Sequence, residues 1–391
     1  MSTTLGFDAT TSSNFFFEEE HHMLRAQVRR FVEEEIKPHA DAWEEKGEMP
    51  RDVLRKMGEL GFFGINYPEQ YGGSEMDQRA TVVLAEELGR STYAGVAVTV
   101  LVHTDMASVH IFNAGNDAQK EKYLPRVISG EIITAVGVTE PDAGSDVKGI
   151  RTTARRDGDD YVLNGSKTFI TNGVLGDVFC IAAKTDTKGS PSQSVTMFIV
   201  EKGTPGFTVS RSLKKHGWNS SDTAELSFVD VRIPAENVLG QEGRGFYEIM
   251  KNFQNERLVL GAMAMGEAQA AIELTVQYVK DRKAFGAPLW DKQVIRNRLA
   301  EMSTKVEAGR QMLYSTAARA AQGEQLVREV SMLKAYCGEL VNEVMYVCVQ
   351  FHGGMGFMRE SAIERMSRDA RVQAIGGGAT EVMLEEVAKR M

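Results

Sequence analysis

Between about Phe17 and Gly130 the apolar residues recur at helical spacing. Glu18, Glu19 and Glu20 open a run in which Leu24, Val28, Phe31, Val32 and Ile36 share one face, with the acids at the positive end of the helix dipole. Pro38 and Gly47 break that pattern. Arg51 to Leu60 predicts a second helix, and a Tyr71-Gly72-Gly73 loop separates it from a third over Gln78 to Leu88. Ala94 to Phe112 reads as a long apolar helix, and Asp117 is placed to cap the next one, which ends near Gly130.

The texture then changes. From Ile132 to Val238 short β-branched runs alternate with turn clusters, which predicts a small antiparallel barrel or sandwich. Helical periodicity returns at Gly243. Phe246 to Arg282, Lys292 to Gly323 and Leu326 to Phe351 predict three helices longer than the usual mean, followed by shorter ones near Glu360 to Arg371 and Glu381 to Met391. Long helices joined by short loops imply a four-helix-bundle-type domain. The expected organisation is therefore an α+β multidomain chain. Residues 1–15 form a mobile tail, 16–130 an N-terminal helical domain, 131–240 the β domain and 241–391 the bundle domain.

Composition narrows the function classes. The 391 residues carry a formal net charge of −9, which disfavours a broad basic face for nucleic acid and leaves room for a local basic pocket. The three cysteines, Cys180, Cys337 and Cys348, are odd in number and lack metal-ligand spacing; they read as core thiols in a reducing cytoplasm, and no metal is expected. No secretory signal pattern is visible at the N-terminus. The most apolar run, Tyr93 to Val102, is too short to span a bilayer and predicts a buried helix.

The segment Thr139 to Gly173 packs small residues, hydroxyls and tight turns between β-type runs. Such a segment can bring backbone N–H and C=O groups against a flat polar ring and a phosphate chain, and it is equally compatible with an ordinary hairpin loop. Its Thr139-Glu140-Pro141-Asp142-Ala143-Gly144-Ser145 turn and its Phe169-Ile170-Thr171 triplet resemble the flavin-facing strands of the acyl-CoA dehydrogenase family. The α–β–α order agrees, and the resemblance covers the chain from about Phe15 onward.

The resemblance implies removal of an α-proton and a β-hydride from an acyl thioester. That needs a carboxylate base in a dry site, donors to the thioester carbonyl, and a flavin to take the hydride. Many members carry the base in a C-terminal segment where this chain has Gly377. A second subgroup, resembling isovaleryl-CoA and long-chain acyl-CoA dehydrogenases, places it on a bundle helix, in a segment matched here by Asn255-Glu256-Arg257-Leu258-Val259-Leu260. The paired loss at Gly377 and gain at Glu256 points to Glu256 as base; the plain alternative is a solvated helix acid. The backbone N–H of Gly377 is implied as a donor to the thioester carbonyl, with Gly378 beside the substrate. The Gly376-Gly377-Gly378 run is equally consistent with a flexible helix start.

The same resemblance assigns an FAD cradle. Val136, Val138, Thr139, Gly144 and Ser145 would lie along the ring and pyrophosphate, Ser145 also on the CoA side, and Phe169, Ile170 and Thr171 would pack on the ring. Phe169 stands where Trp is frequent, and Ala379 replaces a frequent Thr. Arg282, Phe285, Gln293, Gln350, Gly353 and Gly354 would hold the nucleotide end of an FAD bound by a neighbouring subunit, which implies a homotetramer. Thr380 and Glu381 resemble residues on the flavin nucleotide, and His352 reads as a structural or nucleotide-packing residue. Arg257 matches the residue that pairs with the CoA phosphate, or is a surface arginine paired with a neighbouring acid.

The implied reaction is α,β-dehydrogenation of an acyl-CoA to the trans-2-enoyl-CoA, with an electron-transfer flavoprotein as acceptor. The substrate expectation is a medium-to-long or methyl-branched chain. Residues 217–224 and 375–383 also resemble bacterial enzymes acting on citronellyl-CoA. The alternatives are a flavin monooxygenase or oxidase on this fold, and a non-enzymatic relative that binds nucleic acid. The acidic balance disfavours the latter, and no membrane association is expected.

Overall fold

The computed structural model describes residues 15–186 and 190–391. The expectation for residues 1–15 falls, apart from Phe15, outside the described residues. Among the described residues the N-terminal region holds seven α-helices: α1 Glu19–Phe31, α2 Ala40–Lys46, α3 Arg51–Glu59, α4 Gln78–Gly89, α5 Ala94–Leu101, α6 Ser108–Ala114 and α7 Asp117–Ile128. Their starts follow local chemistry. Asp77 accepts from the Arg79 N–H ahead of α4, and Asn116 with Gln119 forms a reciprocal cap on α7.

Between α5 and α6 the chain stays helical through a π-type segment, Val102–Ala107. The resulting 21-residue span, Ala94–Ala114, is long and apolar enough to cross a membrane by length and composition, so the short-run reading of Tyr93 to Val102 is corrected. As expected, the span is a buried core helix, 89% buried over its most apolar window. It continues through His103 and Asp105 because both find partners. His103 Nδ1 lies 3.0 Å from Thr134 Oγ1 and Nε2 3.1 Å from the Val127 carbonyl, while Asp105 accepts from Asn255 at 3.1 Å.

The central region is an eight-stranded sheet. Its strands are β1 Thr134–Gly137, β2 Thr153–Asp157, β3 Asp160–Thr171, β4 Val178–Lys184, β5 Val195–Glu201, β6 Phe207–Ser212, β7 Thr223–Pro234 and β8 Val238–Leu239, ordered β6-β7-β3-β2-β4-β5-β8 with β1 on β4. The expectation of a purely antiparallel sheet is corrected: β1 runs parallel to β4, and β2 meets β4 in parallel at Thr153 and Lys184. The Val102–Ala107 part of the helical span precedes β1 in the chain and packs against it, while β1 pairs with β4 along the same direction.

The bundle contains α8 Gly245–Asp281, then a two-stranded ribbon (β9 Lys283–Ala284, β10 Ala287–Pro288), α9 Gln293–Ala321, α10 Val327–His352, α11 Ala362–Ala370 and α12 Thr380–Ala388. One hydrophobic core joins the N-terminal helices to the bundle: Phe31, Leu54, Leu84 and Leu101 pack in the same cluster as Leu258, Met263, Leu313 and Val344. Truncating one such leucine to alanine costs about 2–5 kcal/mol. Where α4 crosses α8 the helices touch at glycines. A Cβ on Gly89 would stand 2.3 Å from the Met263 carbonyl oxygen, and one on Gly266 2.1 Å from the Glu86 carbonyl oxygen. Only glycine permits that approach. Nearby, Glu86 accepts from Arg25 at 2.7 Å, Arg310 at 3.1 Å and Tyr314 at 2.7 Å, tying α1 and α9 to α4. Cys180, Cys337 and Cys348 are buried free thiols, as expected.

Candidate active site

Glu256 sits in α8 with its carboxyl turned toward the turn that precedes α12. Burial pushes it up to about 7, against the opposing pull of Arg257 and Lys334. This is not a solvated helix acid. A carboxylate with that proton affinity is matched to abstracting a proton near neutral pH.

Gly377 faces it. Its backbone is left-handed (φ +63), and a Cβ there would stand 2.2 Å from Leu260 Cδ1, 3.3 Å from Glu256 Oε1 and 3.7 Å from Lys334 Cε. The space that a side chain at 377 would need is therefore taken by the acid on α8 and the leucine one turn on. Gly378 is also left-handed (φ +108), against Met383.

Lys334, on α10, lies beneath this turn and was not singled out from the sequence. It is buried, and its ammonium donates to the Gln373 carbonyl at 2.6 Å and the Gly378 carbonyl at 3.0 Å. Burial brings it down to about 8, with Glu256 pulling the other way. Gln373 in turn donates to Glu267 at 3.0 Å, and burial with Asp369 nearby holds Glu267 well above the usual carboxylate range. The signal that marks both is a charged residue set inside an apolar run, Ser331-Met332-Leu333-Lys334-Ala335 and Met265-Gly266-Glu267-Ala268.

Arg257 is 9% exposed and forms no ion pair among the described residues; its guanidinium stands 5.5 Å from the Phe253 ring centre and its Nε has no partner. The reading of Arg257 as a surface arginine paired with an acid is corrected, because α8 holds it inside the protein. Beside the base, Asn255 reaches Asp105, which burial raises to about 6. Asn255, Asn252 and Leu258 line a cavity of about 290 Å³ with Phe62, Leu84 and Leu326, around α8 from the face where Glu256 meets Gly377.

The segments proposed for the flavin ring come together on the sheet. The Thr168 N–H donates to the Thr139 carbonyl at 3.0 Å, which closes the end of β1 onto β3. A register shift between Lys167 and Ile170 turns Phe169 outward, 69% exposed and left-handed (φ +59), while Ile170 is buried beneath it. Val136, Val138, Thr139 and Thr171 are half-buried around it, and Gly144 and Ser145 are exposed. Just inside, Asn172 donates to the Thr99 carbonyl at 3.0 Å, yet its own Oδ1 and the Thr99 hydroxyl lack partners. An exposed aromatic in a strained conformation, rimmed by hydroxyls and unsatisfied polar atoms, fits a planar polar ring of the flavin type.

The structure does not bring the nucleotide-end residues to this place. Arg282 follows the last residue of α8, 26 residues beyond Glu256, or about 40 Å along a helix rising 1.5 Å per residue. Arg282, Gln293, Gln350, Gly353 and Gly354 are exposed, and Phe285 is 96% exposed in a left-handed conformation (φ +52). Arg282 has no ion pair among the described residues. His352 stacks on Tyr278 at 4.2 Å and is a packing residue. Thr380 gives its hydroxyl to Glu339 at 2.7 Å, and Glu381 is exposed. Among the described residues no group of three or more His, Cys, Asp or Glu side chains is arranged to hold a metal ion.

The three regions of the chain also match known proteins. Three family profiles match in chain order: acyl-CoA dehydrogenase N-terminal domain over residues 18–131, middle domain over 135–231 and C-terminal domain over 243–391. The mitochondrial long-chain specific acyl-CoA dehydrogenase of Mus musculus is 41% identical over 370 residues, spanning 94% of this chain and 86% of that protein. The mitochondrial isovaleryl-CoA dehydrogenase of Pongo abelii is 38% identical over 362 residues, 92% of this chain and 85% of that one. The crystal structure of an acyl-CoA dehydrogenase from Geobacillus kaustophilus matches with a TM-score of 0.92 at 43% identity, covering 96% of this chain and 98% of the other.

Proposed function

Because the chain belongs to the acyl-CoA dehydrogenase family, whose members are FAD-dependent oxidoreductases, we propose that it oxidises a medium-to-long or methyl-branched acyl-CoA to the trans-2-enoyl-CoA. The observation that carries this reading is the convergence of Glu256 and Gly377, the acid on α8 filling the space that glycine leaves. Glu256 removes the α-proton and keeps it. Bound FAD supplies the acceptor for the β-hydride, so the two hydrogens leave as proton and hydride and one C–C single bond becomes double. The Gly377 N–H donates to the thioester carbonyl, where negative charge builds as the α-proton departs. Phe169 packs the ring, with Val136, Val138, Thr139, Ile170 and Thr171 around it, while Arg257 on α8 offers a buried cation toward CoA.

The residues at the far end of α8 fit a flavin bound mainly by another subunit, which supports a homotetramer. Reoxidation by an electron-transfer flavoprotein follows the family resemblance. The chain-length class follows the resemblance to the relatives that carry their base on the bundle helix.

The test is the Glu256→Gln variant of the FAD-loaded protein, assayed on acyl-CoAs graded from butyryl-CoA to long and methyl-branched chains. Loss of roughly 10²–10⁴-fold in turnover with FAD retained is expected. Near-normal rates in Glu256→Gln refute the assignment, and a wild-type kcat/KM highest for butyryl-CoA refutes the chain class.

A further inference from the structure

Beneath the Gly377 turn, Lys334 occupies a position that the proton-transfer scheme leaves unexplained. Two of its three N–H donors go to backbone carbonyls on either side of the turn, Gln373 at 2.6 Å and Gly378 at 3.0 Å. The segment they bracket ends in two successive left-handed glycines, flexible residues whose backbone direction needs a partner to fix it. The Lys334 stem, the Glu256 carboxyl and the Leu260 methyl converge on the Gly377 Cα.

We propose that Lys334 is a positioning residue for the reaction, a buried ammonium that clamps the 373–378 turn so that the Gly377 N–H is held at the thioester carbonyl, and that sets a fixed positive charge beside Glu256. The inference rests on the reading of Glu256 as base. An apolar side chain at 334 would leave the Gln373 and Gly378 carbonyls without their partner.

The charges around the pair are few. Glu256 faces Lys334 from α10 and Arg257 from its own helix; Arg257 faces Glu386 and Arg390 near α12, and Lys334 has the like charge of Arg257 across from it and Cys337 and Glu339 on its own helix. Burial pushes the Glu256 carboxyl up and the Lys334 ammonium down, while each pulls the other toward its charged form.

The experiment measures, across pH 5–10, how fast the FAD-loaded protein exchanges the α-proton of an accepted acyl-CoA for deuterium in D₂O, alongside kcat/KM. Wild type, Lys334→Gln, Lys334→Met and Glu256→Gln are compared. Lys334→Gln should move the acid limb up by roughly one unit or more, since an opposite charge nearby lowers a carboxyl by about that much. Lys334→Met should lose exchange at every pH as well, because it removes the clamp. Lys334 variants with the wild-type limb and rate overturn the proposal. If neither variant folds, Lys334→Arg, which keeps the cation, carries the test: it should hold the wild-type limb, and a limb moved up by a unit or more overturns the proposal. Exchange surviving in Glu256→Gln overturns the base assignment instead, so the two failures are separable.

Discussion

Moving the acid from α8 to the turn before α12 tests whether Gly377 and Glu256 are alternatives for one place. The simplest exchange is Glu256→Ala with Gly377→Glu. Two costs oppose it. Any side chain at 377 must adopt φ +63, worth roughly 1–2 kcal/mol for a non-glycine residue. Its Cβ also begins 2.2 Å from Leu260 Cδ1, an overpacking cost of about 1–3 kcal/mol. Together they reach about 2–5 kcal/mol, enough to displace the turn and lose the Gly377 N–H as well as to misplace the new carboxylate. Adding Leu260→Val removes the contact and leaves mainly the backbone cost. The exchange variant should therefore stay near the background of Glu256→Ala, and the triple variant should recover turnover by at least roughly tenfold, the equivalent of about 1.4 kcal/mol. Steady-state kcat/KM on one accepted acyl-CoA, with FAD content checked by absorbance, decides it. If the exchange without Leu260→Val is as active as the triple variant, Leu260 does not hold the space and the packing argument is wrong.

Two further outcomes follow from the geometry. Arg282→Ala should weaken FAD retention on gel filtration and lower the assembly state, since Arg282 is exposed and without an ion pair within one chain; unchanged FAD content and assembly leave it a surface arginine. His103 and His110 are held neutral at about 4 by burial, so the unfolded chain takes up protons first, and stability falls as pH drops from about 6.5 toward 4, by about 3 kcal/mol for each. The thermal midpoint of His110→Gln should accordingly depend less on pH over that interval than that of wild type; equal slopes would mean His110 is protonated in the fold.

The long helices of the bundle were legible because apolar positions repeat through many turns: the predicted spans Phe246 to Arg282 and Leu326 to Phe351 differ by a residue at each end from the observed ones. The candidate base was legible as a glutamate gained in one segment and lost in another. Lys334 was not, because its partners are the carbonyls of Gln373 and Gly378, some forty residues on. The same holds for the helix running through His103 and Asp105, whose polar atoms are met by Thr134, Val127 and Asn255. Parallel pairing of β1 with β4 is likewise a matter of distant packing that no local pattern encodes.

The core shared by the N-terminal helices and the bundle has a consequence for synthesis. During translation Leu84 and Leu101 leave the ribosome well before Leu258 and Met263, the residues they pack with. That gap is roughly 150 residues, or about 8–30 s at 5–20 residues per second. Over that interval the 21-residue apolar helix beginning at Ala94 waits without the helix that will cover it. The nascent chain thus passes through a stage in which the α8-facing side of its most apolar helix is open, and the yield of intact protein in a cell depends on what shields that side of Ala94–Ala114 until α8 arrives.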